Sequence, residues 1–259
     1  MFASGAWVVT GAASGFGREI ALQLALRGEA VALWDVYAEG LEETRRWLGS
    51  ARSVCVHADV TDPDSLAQAA ATTRAALGPI AHLVNSAGIL RVGPTASMPL
   101  SEFRRLMEVN YLGSVSVALT LLDDLTRAAK SGGRATLLLI SSVAGLRGFP
   151  ELAGYSASKH AIVGFGQALR DEMRGTGVDV RVLCPPTGDT PMFRNLSHRP
   201  KIYDLAPALP AENIVRAALA ALEDDDDLLV LVDARSRAML RVHQLIPALM
   251  DRIVARTIR

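Results

Sequence analysis

The 259-residue chain is predicted to fold as an α/β protein, a doubly wound, seven-stranded parallel sheet with helices on both faces. Three observations predict this. Short apolar runs alternate with helical patterns along the whole chain. The runs are continuously apolar rather than alternating, as strands buried on both faces are. A glycine-rich turn joins the first run to the first helical pattern, and no break in composition divides the 259 residues into separate units.

Taken in order, Ala6–Thr10 is the first strand and residues 18–27 the first helix, with Gly11-Ala12-Ala13-Ser14-Gly15-Phe16-Gly17 between them. Residues 30–34 form a second strand ending at Asp35. Ser53–His57 is the third, and Asp62-Pro63 starts an Ala-rich helix that runs to Leu77. Residues 82–84 are the fourth strand, followed by Asn85-Ser86-Ala87-Gly88. Ala135–Ile140 is the fifth and places Ser141-Ser142 at its carboxyl end, where open α/β sheets bind ligands. A helix over 155–174, a strand at Val178–Leu183, a helix over 211–222 and a last strand at 228–232 complete the sheet.

The glycine turn carries the first chemical signal. Between a strand and a helix, such a turn lets backbone N–H groups and the helix amino end face a pyrophosphate. Its spacing is Gly-x-x-x-Gly-x-Gly, with Gly11, Gly15 and Gly17 as the glycines and Ser14 and Phe16 beside them. Asp35 lies eighteen residues after Gly17 at the end of the second strand. A carboxylate there accepts from ribose hydroxyls and repels a 2′-phosphate. Neither Val36 nor Tyr37 supplies a compensating positive charge, and Ser14 is neutral, so the expected cofactor is NAD.

The second signal is Ser142, Tyr155 and Lys159. Tyr155 and Lys159 are four residues apart on a predicted helix, which puts an ammonium beside a phenol. A free phenol, with a pKa of about 10, is a weak base at neutral pH, and a neighbouring ammonium favours its anion. Tyr155 is therefore the expected general acid/base, Lys159 the group that tunes it, and Ser142 the hydrogen-bond partner of the substrate oxygen.

Composition excludes several other classes. The formal net charge is zero with scattered basic residues, which leaves no footprint for nucleic acid. Cys55 and Cys184 fall in or at the end of strands and read as buried thiols of a reducing compartment, with no disulfide. Met1-Phe2-Ala3-Ser4-Gly5 has neither signal nor transit character, and no apolar run reaches membrane-spanning length, so a cytoplasmic protein is expected. The five histidines lack zinc-ligand spacing, and the acidic run 223–227 lacks the spaced ligands and glycine of a calcium loop, so no metal is expected.

These stretches, with Asp59-Val60, Asn110-Tyr111-Leu112-Gly113 and Tyr155-Ser156-Ala157-Ser158-Lys159, resemble the short-chain dehydrogenase/reductase family over nearly the whole chain. The resemblance implies a single Rossmann-type domain, a homodimer or homotetramer, and an Asn-Ser-Tyr-Lys tetrad. Within it, Asn110 would hold a water linking Lys159 to solvent, and Lys159 would also bind the nicotinamide ribose. Asp59 would meet the adenine with Val60 beside it, and Asn85, Ala87 and Gly88 would wall the adenosine pocket, with Ser86 where the family usually has a second asparagine. After the sixth strand the family commonly has Pro-Gly, whereas this chain reads Cys184-Pro185-Pro186-Thr187-Gly188-Asp189-Thr190-Pro191. Pro186 stiffens that loop. Pro185 and Thr190 are the cofactor contacts carried over. The loop resembles the 3-ketodihydrosphingosine reductase branch, which points to a lipophilic substrate. Residues 191–210 would be a substrate lid, with Met192, Phe193, Leu196, Ile202 and Tyr203 as apolar contacts.

The tail, about 235–257, sets Met239, Val242, Ile246, Leu249, Met250 and Ile253 on one helical stripe, with arginines around it and a kink at Pro247. Such a helix docks on its own domain, covers a second subunit or lies on an anionic membrane. The leading functional expectation is an NAD-dependent oxidoreductase that interconverts a secondary alcohol and a ketone. Its rivals are an epimerase or dehydratase of the same fold using transient oxidation, and a non-catalytic nucleotide-sensing module.

Overall fold

The structure is a computed structural model that describes residues 2–224 and 227–257. Its strands β1 (Ala6–Thr10), β2 (Val31–Asp35), β3 (Ser53–His57), β4 (Ile80–Asn85), β5 (Ala135–Ile140), β6 (Val178–Leu183) and β9 (Leu229–Val230) form one sheet in the order β3-β2-β1-β4-β5-β6-β9. Every pairing in it is parallel. The expected seven-stranded doubly wound sheet is present. A separate two-residue pair, β7 (Gly188–Asp189) with β8 (Leu209–Pro210), lies outside it.

Because side chains alternate across a strand, each strand feeds two apolar layers. Ala6 and Val8 of β1 and Leu137 and Leu139 of β5 join the layer under α3 (Pro63–Leu77), α5 (Gly113–Lys130) and α6 (Ala153–Glu172). Trp7, Val9, Leu138 and Ile140 join the opposite layer, under α1 (Gly15–Leu26), α2 (Ala38–Leu48) and α8 (Ala211–Asp224). Both faces of the sheet are covered, which is why the strands read as unbroken apolar runs.

Local chemistry sets the elements at the site. Asp62 caps α3 by accepting from Asp64 N, with Pro63 in the first turn. Between α4 (Leu100–Met107) and α5 the chain makes a π-helical turn, Glu108–Leu112, which re-aims Asn110 inward. Gly113 follows that turn and packs closely on Val60, since a Cβ there would lie 2.7 Å from Val60 Cγ2. His82 stacks on Trp7 with ring centroids 4.1 Å apart, and its ring nitrogens meet Ala3 O and Thr136 N. Burial lowers its pKa to about 4, so it is a neutral structural residue.

The tail differs from one kinked helix. It forms α9 (Ala234–Leu245) and α10 (Pro247–Thr257), because proline cannot continue the hydrogen-bond ladder through Ile246. The break changes the phase of the stripe. Met239, Val242 and Met250 turn inward, whereas Ile246, Leu249 and Ile253 are exposed. No helix among the described residues is long and apolar enough to cross a membrane. Asp225 and Asp226 of the acidic run lie outside the described residues.

Candidate active site

The carboxyl ends of β1 to β6 open on a cavity of about 1320 Å³, larger than the roughly 300 to 1,000 Å³ of a site for one small ligand. It spans the gap between β1 and β4, where the strand order reverses. One end is formed by Gly11, Ser14, Gly15, Phe16 and Gly17. Gly17 is required there, since a Cβ would sit 2.2 Å from Gly11 O. No side chain caps the first turn of α1, and that turn carries no acidic residue, so its amides and the positive end of the helix are presented to the cavity. Asp35 is held at the same end, its two carboxylate oxygens accepting from Ala13 N and Tyr37 N, each at 3.0 Å. Arg18, one helical turn into α1, is occupied by Glu43 at 2.7 Å and lies over Trp47. These groups fit a dinucleotide: amides to donate to the pyrophosphate and a carboxylate to accept from a ribose.

Asp59 and Val60 line the cavity. Hydrogen bonds from Thr61 N and Thr61 Oγ1, both to Asp59 Oδ1, hold that carboxyl below its ordinary range. Ser86, Ala87 and Gly88 line the wall, but Asn85 does not. Asn85 is buried, its Oδ1 accepting from Thr10 Oγ1 at 3.2 Å and its amide donating to Ser114 O at 2.8 Å. This corrects the expected pocket wall: the asparagine at the strand end points inward, and the three residues after it face the cavity. Thr10, which the sequence reading did not single out, accepts from Ser86 N and Ala87 N at 2.9 and 3.0 Å and holds that turn against β1.

At the other end Ser142 follows β5, and Tyr155 lies in the first turn of α6. Ser142 Oγ accepts from Ala144 N at 3.1 Å, and Ser142 and Tyr155 line the same part of the cavity. Burial pushes the Tyr155 phenol above its ordinary range, with the Tyr203 phenol adding to the shift and Ser142 opposing it. Lys159 is buried, and its ammonium donates to Ile140 O at 2.9 Å and lies 5.8 Å from the Tyr155 ring centroid. Burial lowers its pKa to about 8. The expected tuning of the phenol is therefore not a direct hydrogen bond: the ammonium donates to the β5 carbonyl instead.

Asn110 is fully buried and lies behind the cavity rather than on its wall. Its side chain accepts from Ile89 N at 2.7 Å and donates to Ile89 O at 3.0 Å and to Ser158 Oγ at 2.9 Å. It ties α6 to the turn after β4. Ser158, the partner it finds, was visible in sequence only as a spacer between Tyr155 and Lys159.

Pro185, Thr190, Met192, Phe193, Ile202 and Tyr203 line the cavity; Leu196 does not. The segment 191–210 is ordered by α7 (Pro191–Arg194), a 3-10 turn at Lys201–Leu205 and the β7–β8 pair. Tyr203 packs edge-on against Phe193, ring centroids 5.1 Å apart. The sequence did not reveal that the tail closes this end. Met239, Met250 and Val254 join Leu152 and Ile202 in one apolar cluster over the cavity. Arg147, from the loop after β5, clasps Asp251 of α10 at 2.8 Å.

The profile of the short chain dehydrogenase family matches residues 6–201, the span that supplies the glycine turn, Ser142, Tyr155 and Lys159. The chain belongs to this family. It is 33% identical over 190 residues to 2-dehydro-3-deoxy-L-rhamnonate dehydrogenase (NAD(+)) of Sphingomonas sp. (strain SKA58), covering 73% of this chain and 74% of that one. It is 36% identical over 222 residues to 1-deoxy-11-beta-hydroxypentalenate dehydrogenase of Streptomyces exfoliatus, covering 84% and 79%. A solved short chain dehydrogenase from Burkholderia cenocepacia J2315, in complex with NADP, superimposes with a TM-score of 0.82 at 26% identity over 98% of this chain and 99% of that one. The chain is thus a short-chain oxidoreductase of the kind that acts on CH–OH groups, built on a fold that takes NAD or NADP.

Proposed function

We propose that the protein is an NAD-dependent dehydrogenase that interconverts a secondary alcohol and a ketone on a largely apolar substrate. The observation that carries this reading is that Ser142, Tyr155 and Lys159 share the wall of one cavity that continues to the bare amino end of α1. Ser142 donates to the substrate oxygen, and Tyr155 exchanges a proton with that same oxygen. A bound nicotinamide supplies the hydride acceptor or donor.

Lys159 and the amides of Gly15 to Gly17 bind sugar hydroxyls and pyrophosphate. Asp35, accepting from Ala13 N and Tyr37 N, binds the adenosine ribose and disfavours a 2′-phosphate. Asp59 has Oδ2 left to accept from the adenine amino group, because both bonds from Thr61 fall on Oδ1. Asn110 acts by positioning, through Ile89 and Ser158. In the free chain burial keeps Tyr155 protonated, which suits proton donation to a ketone. The same low-polarity surroundings strengthen the attraction between Lys159 and any charge that develops on the phenol oxygen.

Met192, Phe193, Ile202, Met239, Met250 and Val254 on the wall support an apolar substrate. The Pro185–Pro191 loop, similar to the 3-ketodihydrosphingosine reductase branch, supports no more than that. Exposed Leu100, Leu112 and Leu119, in and between α4 and α5, offer a face for a second copy, giving a homodimer or homotetramer that light scattering checks.

The test is Tyr155→Phe. It removes the hydroxyl and keeps the ring, so NADH binding by fluorescence stays near the starting value while turnover falls by roughly a hundredfold or more. Near-normal turnover in the variant would remove Tyr155 from the reaction.

A further inference from the structure

The helical pair α9–α10 has two apolar faces with different surroundings. The inner one, Met239, Met250 and Val254, closes the cavity. The outer one is open to solvent: Leu245, Ile246, Leu249 and Ile253 are 79%, 54%, 42% and 39% exposed. Leu249 and Ile253 are four residues apart on α10, and Leu245 and Ile246 lie at the break just before it, so the four form a continuous stripe rather than scattered contacts. Ile253 also lines the cavity, which makes the stripe continuous with the cavity mouth.

Charge separates the possible occupants of this face. Residues 234–257 contain five arginines, Arg235, Arg237, Arg241, Arg252 and Arg256, against Asp251, in a chain whose formal net charge is zero. All five are exposed, and Asp251 is engaged by Arg147. A second copy docked face to face would oppose one cationic patch with its own image, which like-charge juxtaposition penalises. An anionic bilayer meets both requirements. Large aliphatic side chains enter the headgroup boundary while flanking arginines reach the phosphates.

We propose that the α9–α10 pair is a peripheral docking surface for anionic lipid, laying the stripe from Leu245 to Ile253 on the bilayer with the cavity mouth facing the acyl region. The surface does not depend on the catalytic reading, and neither Leu245 nor Leu249 lines the cavity.

The test is co-sedimentation of the full chain with phosphatidylcholine vesicles prepared with and without phosphatidylserine, at low and high salt. The expected result is capture by the phosphatidylserine vesicles that weakens as salt rises. The double variant Leu245→Glu/Leu249→Glu should lose that capture by roughly tenfold or more, and Arg252→Glu/Arg256→Glu should do the same by charge alone. Circular dichroism confirms that each variant is folded, and turnover of a water-soluble alcohol by the leucine variant should be unchanged. Failure of the anionic vesicles to capture the protein, equal capture by neutral vesicles, or equal capture of variants and starting protein would each overturn the proposal. A change of oligomeric state in the leucine variant without any vesicle binding would assign the face to a second copy instead.

Discussion

Burial acts in opposite directions on the two titratable groups at the start of α6, raising the phenol of Tyr155 and lowering the ammonium of Lys159 to about 8. For Lys159 this has a consequence for stability. Below pH 8 the amine is charged in the folded and the unfolded chain, so the full cost of burying it falls on the folded state. As pH rises from about 8 toward the unfolded value of 10.5, the folded chain releases its proton first, and the cost fades. A shift of that size corresponds to about 3 kcal/mol, and the Ile140 carbonyl left without its donor returns roughly 1 kcal/mol of it. In the cofactor-free protein Lys159→Met should therefore melt several degrees higher than the starting protein at neutral pH, and the gap should close as pH approaches 10.5. A gap that stays constant with pH would show that Lys159 is not held at a burial cost. The variant should be inactive throughout. At this scale Ser142, Tyr155 and Lys159 were legible because their spacing fixes them on one helix and one strand end. The inward turn of Asn85 was not, because whether a side chain at a strand end faces the ligand or the neighbouring strand depends on Thr10 and Ser114, which are remote in sequence.

The elements depend on a few close approaches. At the amino end of α1 the backbone of Gly17 meets that of Gly11, and neither can yield without opening the turn that presents the helix amides. Gly17→Ala should therefore weaken NADH binding by roughly tenfold or more, equivalent to about 1.4 kcal/mol, and lower the melting temperature. Gly164→Ala, on α6 where nothing lies within 4 Å of an added Cβ, is the control and should stabilise by up to about 1 kcal/mol without touching binding. Retained affinity in Gly17→Ala would separate the turn from the dinucleotide. The segment 191–210 has no clean period, yet it is ordered, because β7–β8 pairing and the Phe193–Tyr203 contact supply the order that local propensity does not.

Across the whole molecule, parallel order brings six strand ends to one cavity, so dinucleotide binding couples to most of the sheet. Ligand that binds only the folded state, at a hundred times its Kd, adds about 2.7 kcal/mol. For a domain of this size that is a rise of roughly 5 to 10 °C in melting temperature. NADH should give it, and NADPH at the same concentration should give clearly less if Asp35 takes the ribose role proposed for it. Asp35→Ala should narrow the difference, and equal shifts by both nucleotides in the starting protein would remove the NAD preference.

The alternation of unbroken apolar runs with helices, the glycine turn and the four-residue step from Tyr155 to Lys159 are local patterns, and local patterns were enough for the parallel sheet and the place of its site. The wall that closes the substrate end needed the fold. An amphipathic tail states which residues are apolar but not what they meet, and Pro247 divides the stripe so that Met239 and Met250 cover the cavity while Leu249 faces solvent. Long-range contact selects which apolar face is buried, because burial depends on the surface brought against it and not on spacing along the chain.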